Sequence, residues 1–193
     1  MKKQLIPLLL LCYAATLGAK VKLHSLVGDN MIVQQQTDVQ LWGTARAGAE
    51  IKVTPSWSGQ TSTCRADAQG HWLLTVKTPQ ASMSPYEITF DDGEPLTVKN
   101  VLVGEVWLAS GQSNMEMPLK GYANYCVKDA AQEIINASST PQVRMFNVPH
   151  KQEYEPQTEC GGTLHRDGSR IQCYGLVLCQ VVEPGAGSAG GHH

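Results

Sequence analysis

The sequence has no C-x-x-C pair and no His, Asp or Glu group at metal-ligand spacing. A zinc ribbon, a dithiol redox centre and a metal-dependent active site are therefore not predicted. An excess of charge of either sign is also missing, with 15 lysines and arginines against 17 aspartates and glutamates. The basic residues are scattered singly instead of forming a stripe with interleaved aromatics, so no nucleic-acid partner is expected. Hydrophobic residues make up 42% of the 193 positions, the content of an ordinary globular protein.

Apolar runs are short, and the one that opens the chain has flanks of its own. In MKKQLIPLLLLCYAATLGA, Lys2 and Lys3 precede an apolar stretch over 5–11, and Gly18 and Ala19 follow before Lys20. This is the layout of a secretory signal over 1–19, with a membrane anchor as the weaker reading because the run is too short to span a bilayer. Cys12 does not complete a lipoprotein box, since bulky Leu11 stands where a small residue is needed. The mature protein is expected to be secreted or periplasmic, with no membrane association once the signal is removed. Cys64, Cys126, Cys160, Cys173 and Cys179 then remain, an odd number that cannot all pair within the chain.

From 22 to 100 the sequence reads as short strands between turns. Alternation runs through DVQLWGTA, AEIKVTPSW, GHWLLTVK, YEITF and LTVKNVLV, with breaks at Ser58-Gly59, Gln69-Gly70 and Asp92-Gly93. This pattern predicts a β-sandwich module. Trp42 and Trp72 lie in these strands as core fillers or, alternatively, as a carbohydrate-stacking surface.

After Asn100 the pattern changes. VLVGEVWLAS is almost continuously apolar, as in a strand covered on both faces of a parallel sheet. VKDAAQEIINAS follows with Val127, Ala130, Ala131 and Ile134 at helical spacing and Asp129 in the expected first turn; QVRMFNVP reads as the next strand. Asn136-Ala137-Ser138 matches a glycosylation sequon or, equally, a frayed helix end. The fold class expected is therefore mixed: an N-terminal β-sandwich over 22–100, then the βαβ start of an α/β hydrolase domain over 101–162.

Ligands in such sheets gather beyond the carboxyl ends of strands. There the apolar run breaks into Gly111-Gln112-Ser113-Asn114. Gly111 permits a sharp turn, and Ser113 is either a helix N-cap or a nucleophile. If a helix begins after it, the free amides of the first turn would stabilise an oxyanion. The motif is not the G-x-S-x-G elbow, because Met115 stands where that elbow has glycine.

GEVWLASGQSNMEMPL, together with GDNMIVQQQTDVQLWGTARAGAEIKV and ADAQGHWLLTVKTP, resembles the sialate O-acetylesterase family, whose catalytic domain is of the SGNH (GDSL-like, flavodoxin-like) type. The likeness extends over roughly 22–162. It implies an exported esterase that removes acetyl groups from O-acetylated sialic acids or related sugars, with Ser113 as nucleophile and no cofactor. Its backbone amide would donate to the oxyanion, with Gly111, Gln112 and Asn114 as turn and oxyanion support. The family's Asp-x-x-His has no counterpart here: no aspartate has a histidine three residues on, and His192 and His193 end a glycine-rich run without rigid support.

From Thr163 onward periodicity fades. Back-translated and read one base later, the segment beginning at Ile171 permits an amphipathic helix, so a frameshift near Gly162 is expected, with 163–193 an irregular, non-native ending and the hydrolase domain truncated. The alternative function is a non-catalytic carbohydrate-binding or structural β module followed by a vestigial hydrolase fragment.

Overall fold

The computed structural model describes residues 20–109, 111, 117–139, 142–148, 163–165 and 176–180; for 137–138, 163–165 and 176–180 it describes the backbone alone. The strands are β1 (Lys22–Leu23), β2 (Ile32–Gln34), β3 (Asp38–Thr44), β4 (Glu50–Pro55), β5 (Ser62–Arg65), β6 (His71–Lys77), β7 (Ser82–Asp91), β8 (Pro95–Ala109), β9 (Arg144–Asn147), β10 (Thr163–His165) and β11 (Leu176–Gln180). Among the described residues one helix, α1 (Ala130–Ser138), lies between β8 and β9.

Alternation places the core. In HWLLTVK the even-numbered residues Trp72, Leu74 and Val76 are buried while their neighbours face outward, and in EIKVTP the inward pair is Ile51 and Val53. A strand with this period buries one face only, so two such sheets must meet. A three-stranded sheet, β1-β3-β6, and a larger one, ordered β10-β9-β11-β8-β7-β4-β5 with β2 beside β8, do so. Leu41, Trp72 and Leu74 from the first join Ile51, Val53, Ile88, Phe90 and Val101 from the second in one hydrophobic cluster. Trp72 is thus a core filler, with its ring 5.8 Å from that of Phe90. Gly43 lets β1 close on β3, since a Cβ there would run into the carbonyl oxygen of Lys22.

The two expected strands on either side of Asn100 are a single fifteen-residue strand, β8. The join at Asn100 is a bulge and not a linker. Ile88 faces Val98 and Tyr86 faces Val101, so Glu87 of β7 alone opposes Lys99 and Asn100 of β8, and Asn100 takes a left-handed backbone with φ 56°. The extra residue lets Val98 and Val101, three apart in sequence, both point into the core.

Four other expectations change. β8 and β9 run in the same direction but are not neighbours: β11 lies between them, antiparallel to both. The parallel partner of β8 is β2, through Ile32–Leu102, Val33–Val103 and Gln34–Gly104. Such pairings join segments about 70 residues apart, and local periodicity carries no information about them. Cover on both faces holds for Val101, Leu102 and Val103 and fails at Trp107 and Leu108, which are 62% and 77% exposed. Asp129 lies outside the helix, with φ 58°, and only its carbonyl joins the helix by accepting from the amide of Glu133. Glu133 is the acidic residue of the first turn. Within 163–193, expected to be irregular, 163–165 and 176–180 are strands.

Candidate active site

The path to the candidate site is the second half of β8. As this strand leaves the core it is gripped by two consecutive glutamines that follow from β2. Gln34 Nε2 donates to Glu105 Oε2 at 2.8 Å, and Gln35 Nε2 donates to Glu105 Oε1 at 2.7 Å. The amide oxygens are used as well: Gln34 Oε1 accepts from the amide of Val106 at 2.8 Å, and Gln35 Oε1 from that of Ala81 at 2.8 Å. The backbone amide of Gln35 donates to the carbonyl of Gly104 at 2.8 Å. Both carboxylate oxygens are thereby satisfied, and the strand is held four residues short of its end at Ala109.

The hydrogen bond from Gln35, then that from Gln34, favours the ionised form and holds the Glu105 carboxyl below its ordinary value of 4.5, against a smaller upward push from burial. A folded-state pKa lowered in this way gives stability that is complete above about pH 4.5 and is lost as pH falls through the lowered value. Glu105→Gln is expected to lower the urea midpoint at pH 7 and to close the gap to the unaltered chain as the buffer is taken below pH 4. A gap that stays constant with pH would remove Glu105 from the account.

Of the expected site residues, Gly111 is described and exposed. Ser113, Gln112 and Asn114 lie outside the described residues, as does the 1–19 signal. Just beyond, Met117 is half-buried and Pro118 buried, and the chain turns as the amide of Gly121 donates to the carbonyl of Pro118 at 2.8 Å; the amides expected to follow the serine directly lie outside the described residues. Gly121, with φ 75°, leads into a tight turn in which Tyr122 and Tyr125 exchange both backbone hydrogen bonds, at 2.9 and 3.0 Å.

The two histidines whose side chains are described, His24 and His71, lie at the smaller sheet. His24 is buried, accepts the amide of Leu26 on Nδ1 at 3.2 Å and packs on Trp42 with ring centroids 5.0 Å apart. His71 opens β6, with Nδ1 3.8 Å from Asp67 Oδ2, both side chains being largely exposed. A cavity of about 420 Å³ there is lined by His24, Trp42, Thr44, Asp67, His71 and Leu73 among others. Among the described residues no group of three or more His, Cys, Asp or Glu is arranged to hold a metal ion. Cys64 and Cys126 are free thiols, and burial pushes that of Cys64 up. Within the described residues no helix is long and apolar enough to cross a membrane.

No family model matches the sequence. Individual proteins do. The chain is 28% identical to rat (Rattus norvegicus) sialate O-acetylesterase over 167 residues, which is 80% of this chain and 30% of the rat protein. Against the human (Homo sapiens) sialate O-acetylesterase it is 27% identical over 140 residues, 68% of this chain and 26% of the human one. The fold matches the crystal structure of a carbohydrate acetylesterase from Xanthomonas citri with TM-score 0.70 and 32% identity, over 80% of this chain and 34% of that one. The relatives of this chain are thus sialate O-acetylesterases and a carbohydrate acetylesterase. It spans about a third or less of the length of these relatives.

Sequence reasoning missed the glutamine grip on Glu105 and the role of Asn100. The run of three glutamines at 34–36 was visible but carried no periodic signal, and its partner lies 70 residues away.

Proposed function

We infer that the protein is an exported carbohydrate esterase of sialate O-acetylesterase type, built around Ser113 at the end of β8. The observation that carries this reading is the 32% identity and TM-score of 0.70 to the Xanthomonas citri carbohydrate acetylesterase. The Gly-Gln-Ser-Asn break directly after an ordered, doubly clamped strand supports it, and the start over 1–19 supports export. The hydrolase part, from β8 through α1 to β9, is then the opening of an SGNH-type domain.

In the reaction, Ser113 Oγ attacks the acetyl carbonyl of an O-acetylated sialic acid or related sugar. A base takes the hydroxyl proton, the C–O bond to the sugar breaks, and the sugar oxygen leaves protonated. Water then cleaves the acetyl-serine and acetate departs. The base is to be sought among side chains that are not described, because His24 is engaged by Leu26 and Trp42, and His71 stands in the other sheet. No cofactor enters these steps.

The purified chain is expected to release acetate from 9-O-acetyl-N-acetylneuraminic acid or from an O-acetylated neutral pyranoside, measured by a coupled acetate assay. Release from neither would remove the esterase reading. The cavity beside Trp42 favours one second reading, a glycan-contacting β module: binding of the deacetylated sugars without any hydrolysis would select it.

A further inference from the structure

Arg144, the first residue of β9, is 4% exposed. A buried guanidinium is costly unless its donors are met. Nη1 donates to the carbonyls of Asn100 at 2.6 Å, Asn30 at 2.8 Å and Met31 at 3.1 Å, and Nη2 donates to Asn100 Oδ1 at 3.0 Å. Two of these acceptor residues have unusual backbones. Asn30 and Asn100 are both left-handed, with φ 67° and 56°, and Asn100 Nδ2 donates to Asn30 Oδ1 at 2.7 Å. A left-handed residue turns its carbonyl out of the regular ladder, so two such carbonyls and that of Met31 converge on one point. The loop carrying them is stitched to the same stretch of β8, through Asn30 amide to Lys99 carbonyl at 2.9 Å and Lys99 amide to Asp29 Oδ1 at 2.7 Å. The planar fork of arginine matches this group of acceptors, whereas the compact ammonium of lysine does not.

The geometry points to Arg144 as a positioning residue that fixes the bulge at Asn100 and thereby the direction in which β8 carries its end toward Ser113. This rests on the esterase reading of Ser113 given above. Arg144 acts through Asn100, where β8 passes out of the two-sheet core. Ala109 lies nine residues farther on. That is about 30 Å of extended chain, so a tilt of about 5° at the bulge moves the strand end by about 2.5 Å. Misplacement by about 1 Å costs on the order of 100-fold in rate. The β module is then part of the machinery that aims the serine, because two of the three carbonyls come from its loop at 30–31.

Arg144→Ala and Arg144→Lys in the full chain test this, with guanidinium ion at about 20 mM as the rescue probe and the unaltered chain in the same buffer as control. Amides of 101–109 are expected to lose hydrogen-exchange protection by about tenfold or more in the alanine variant, while those of 51–53 and 72–76 keep theirs. Guanidinium should restore much of the loss. Acetate release should fall at least about tenfold in kcat with KM within about twofold, and should recover with guanidinium. Arg144→Lys should show the same selective loss to a smaller degree, and it decides the matter if the alanine variant does not fold. Unchanged protection of 101–109 in the lysine variant, or selective loss of protection with kcat unchanged, would overturn the inference. Should the unaltered chain release no acetate, the esterase reading falls, while selective loss and rescue of exchange would still establish that Arg144 orients β8.

Discussion

Ser113→Ala is expected to lower acetyl-ester hydrolysis by about 10³-fold or more, with little change in thermal midpoint. Removing a nucleophile leaves only the acceleration from substrate binding and oxyanion donors, since the groups that activate the hydroxyl have nothing left to act on. The competing role for a serine just past a strand is to cap a helix. Loss of a cap costs about 0.5–2 kcal/mol of stability and has no reason to abolish turnover selectively. The two roles therefore separate on two instruments. A thermal scan that drops by several degrees while acetate release is unchanged would assign Ser113 to capping; an unmoved scan with hydrolysis gone would assign it to catalysis.

Phe90→Ala carries the largest expected effect on stability. Phe90 is fully buried in β7, sits across from Leu96 of β8, and meets the Trp72 ring at 5.8 Å and 49°. It is one of only two phenylalanines in the chain, and it joins the two sheets at their contact. Truncation at such a site loses the transfer free energy of the ring and leaves a cavity, about 3–5 kcal/mol together. That is a large part of the roughly 5–15 kcal/mol that holds a typical domain together. The urea midpoint should fall accordingly. Ile135→Ala on the exposed side of α1, where the side chain is 63% open to solvent, should change the unfolding free energy by about 0.5 kcal/mol or less. Comparable losses from the two variants would contradict the placement of the core between the sheets.

Much of this architecture could be read from residue order. Trp72, Leu74 and Val76 alternate with exposed neighbours because a strand's side chains switch faces at every residue, and the sequence displays that alternation directly. Gln69-Gly70 marked a turn because Gly70 adopts φ 86°, which few other residues accept cheaply. The helix was legible as well, to within a few residues at its start, where the left-handed Asp129 delays it. The candidate serine was legible through an apolar run that breaks into small polar residues, and its family through the longer stretches around that break.

Other features were hidden for a common reason. The bulge at Asn100 looks like any residue in a strand until β7 shows one residue facing two. Arg144 reads as a polar interruption of QVRMFNVP until the carbonyls of Asn30, Met31 and Asn100 are brought to it from up to 114 residues away. The expected cover over Trp107 and Leu108 followed from their apolar character, yet what lies against a strand depends on segments that its own sequence does not mention.

By itself, then, the order of residues determined most of the strands between 38 and 109, which side of each faces inward and where the chain turns. These depend on periodicity and backbone preference over a few neighbours. Only the tertiary structure decided that β2 and β11 flank β8, that Glu105 is held by two glutamines, and that a buried arginine ties both parts of the chain at one bulge. Those contacts draw their free energy from desolvated groups far apart along the chain, so no local pattern specifies them.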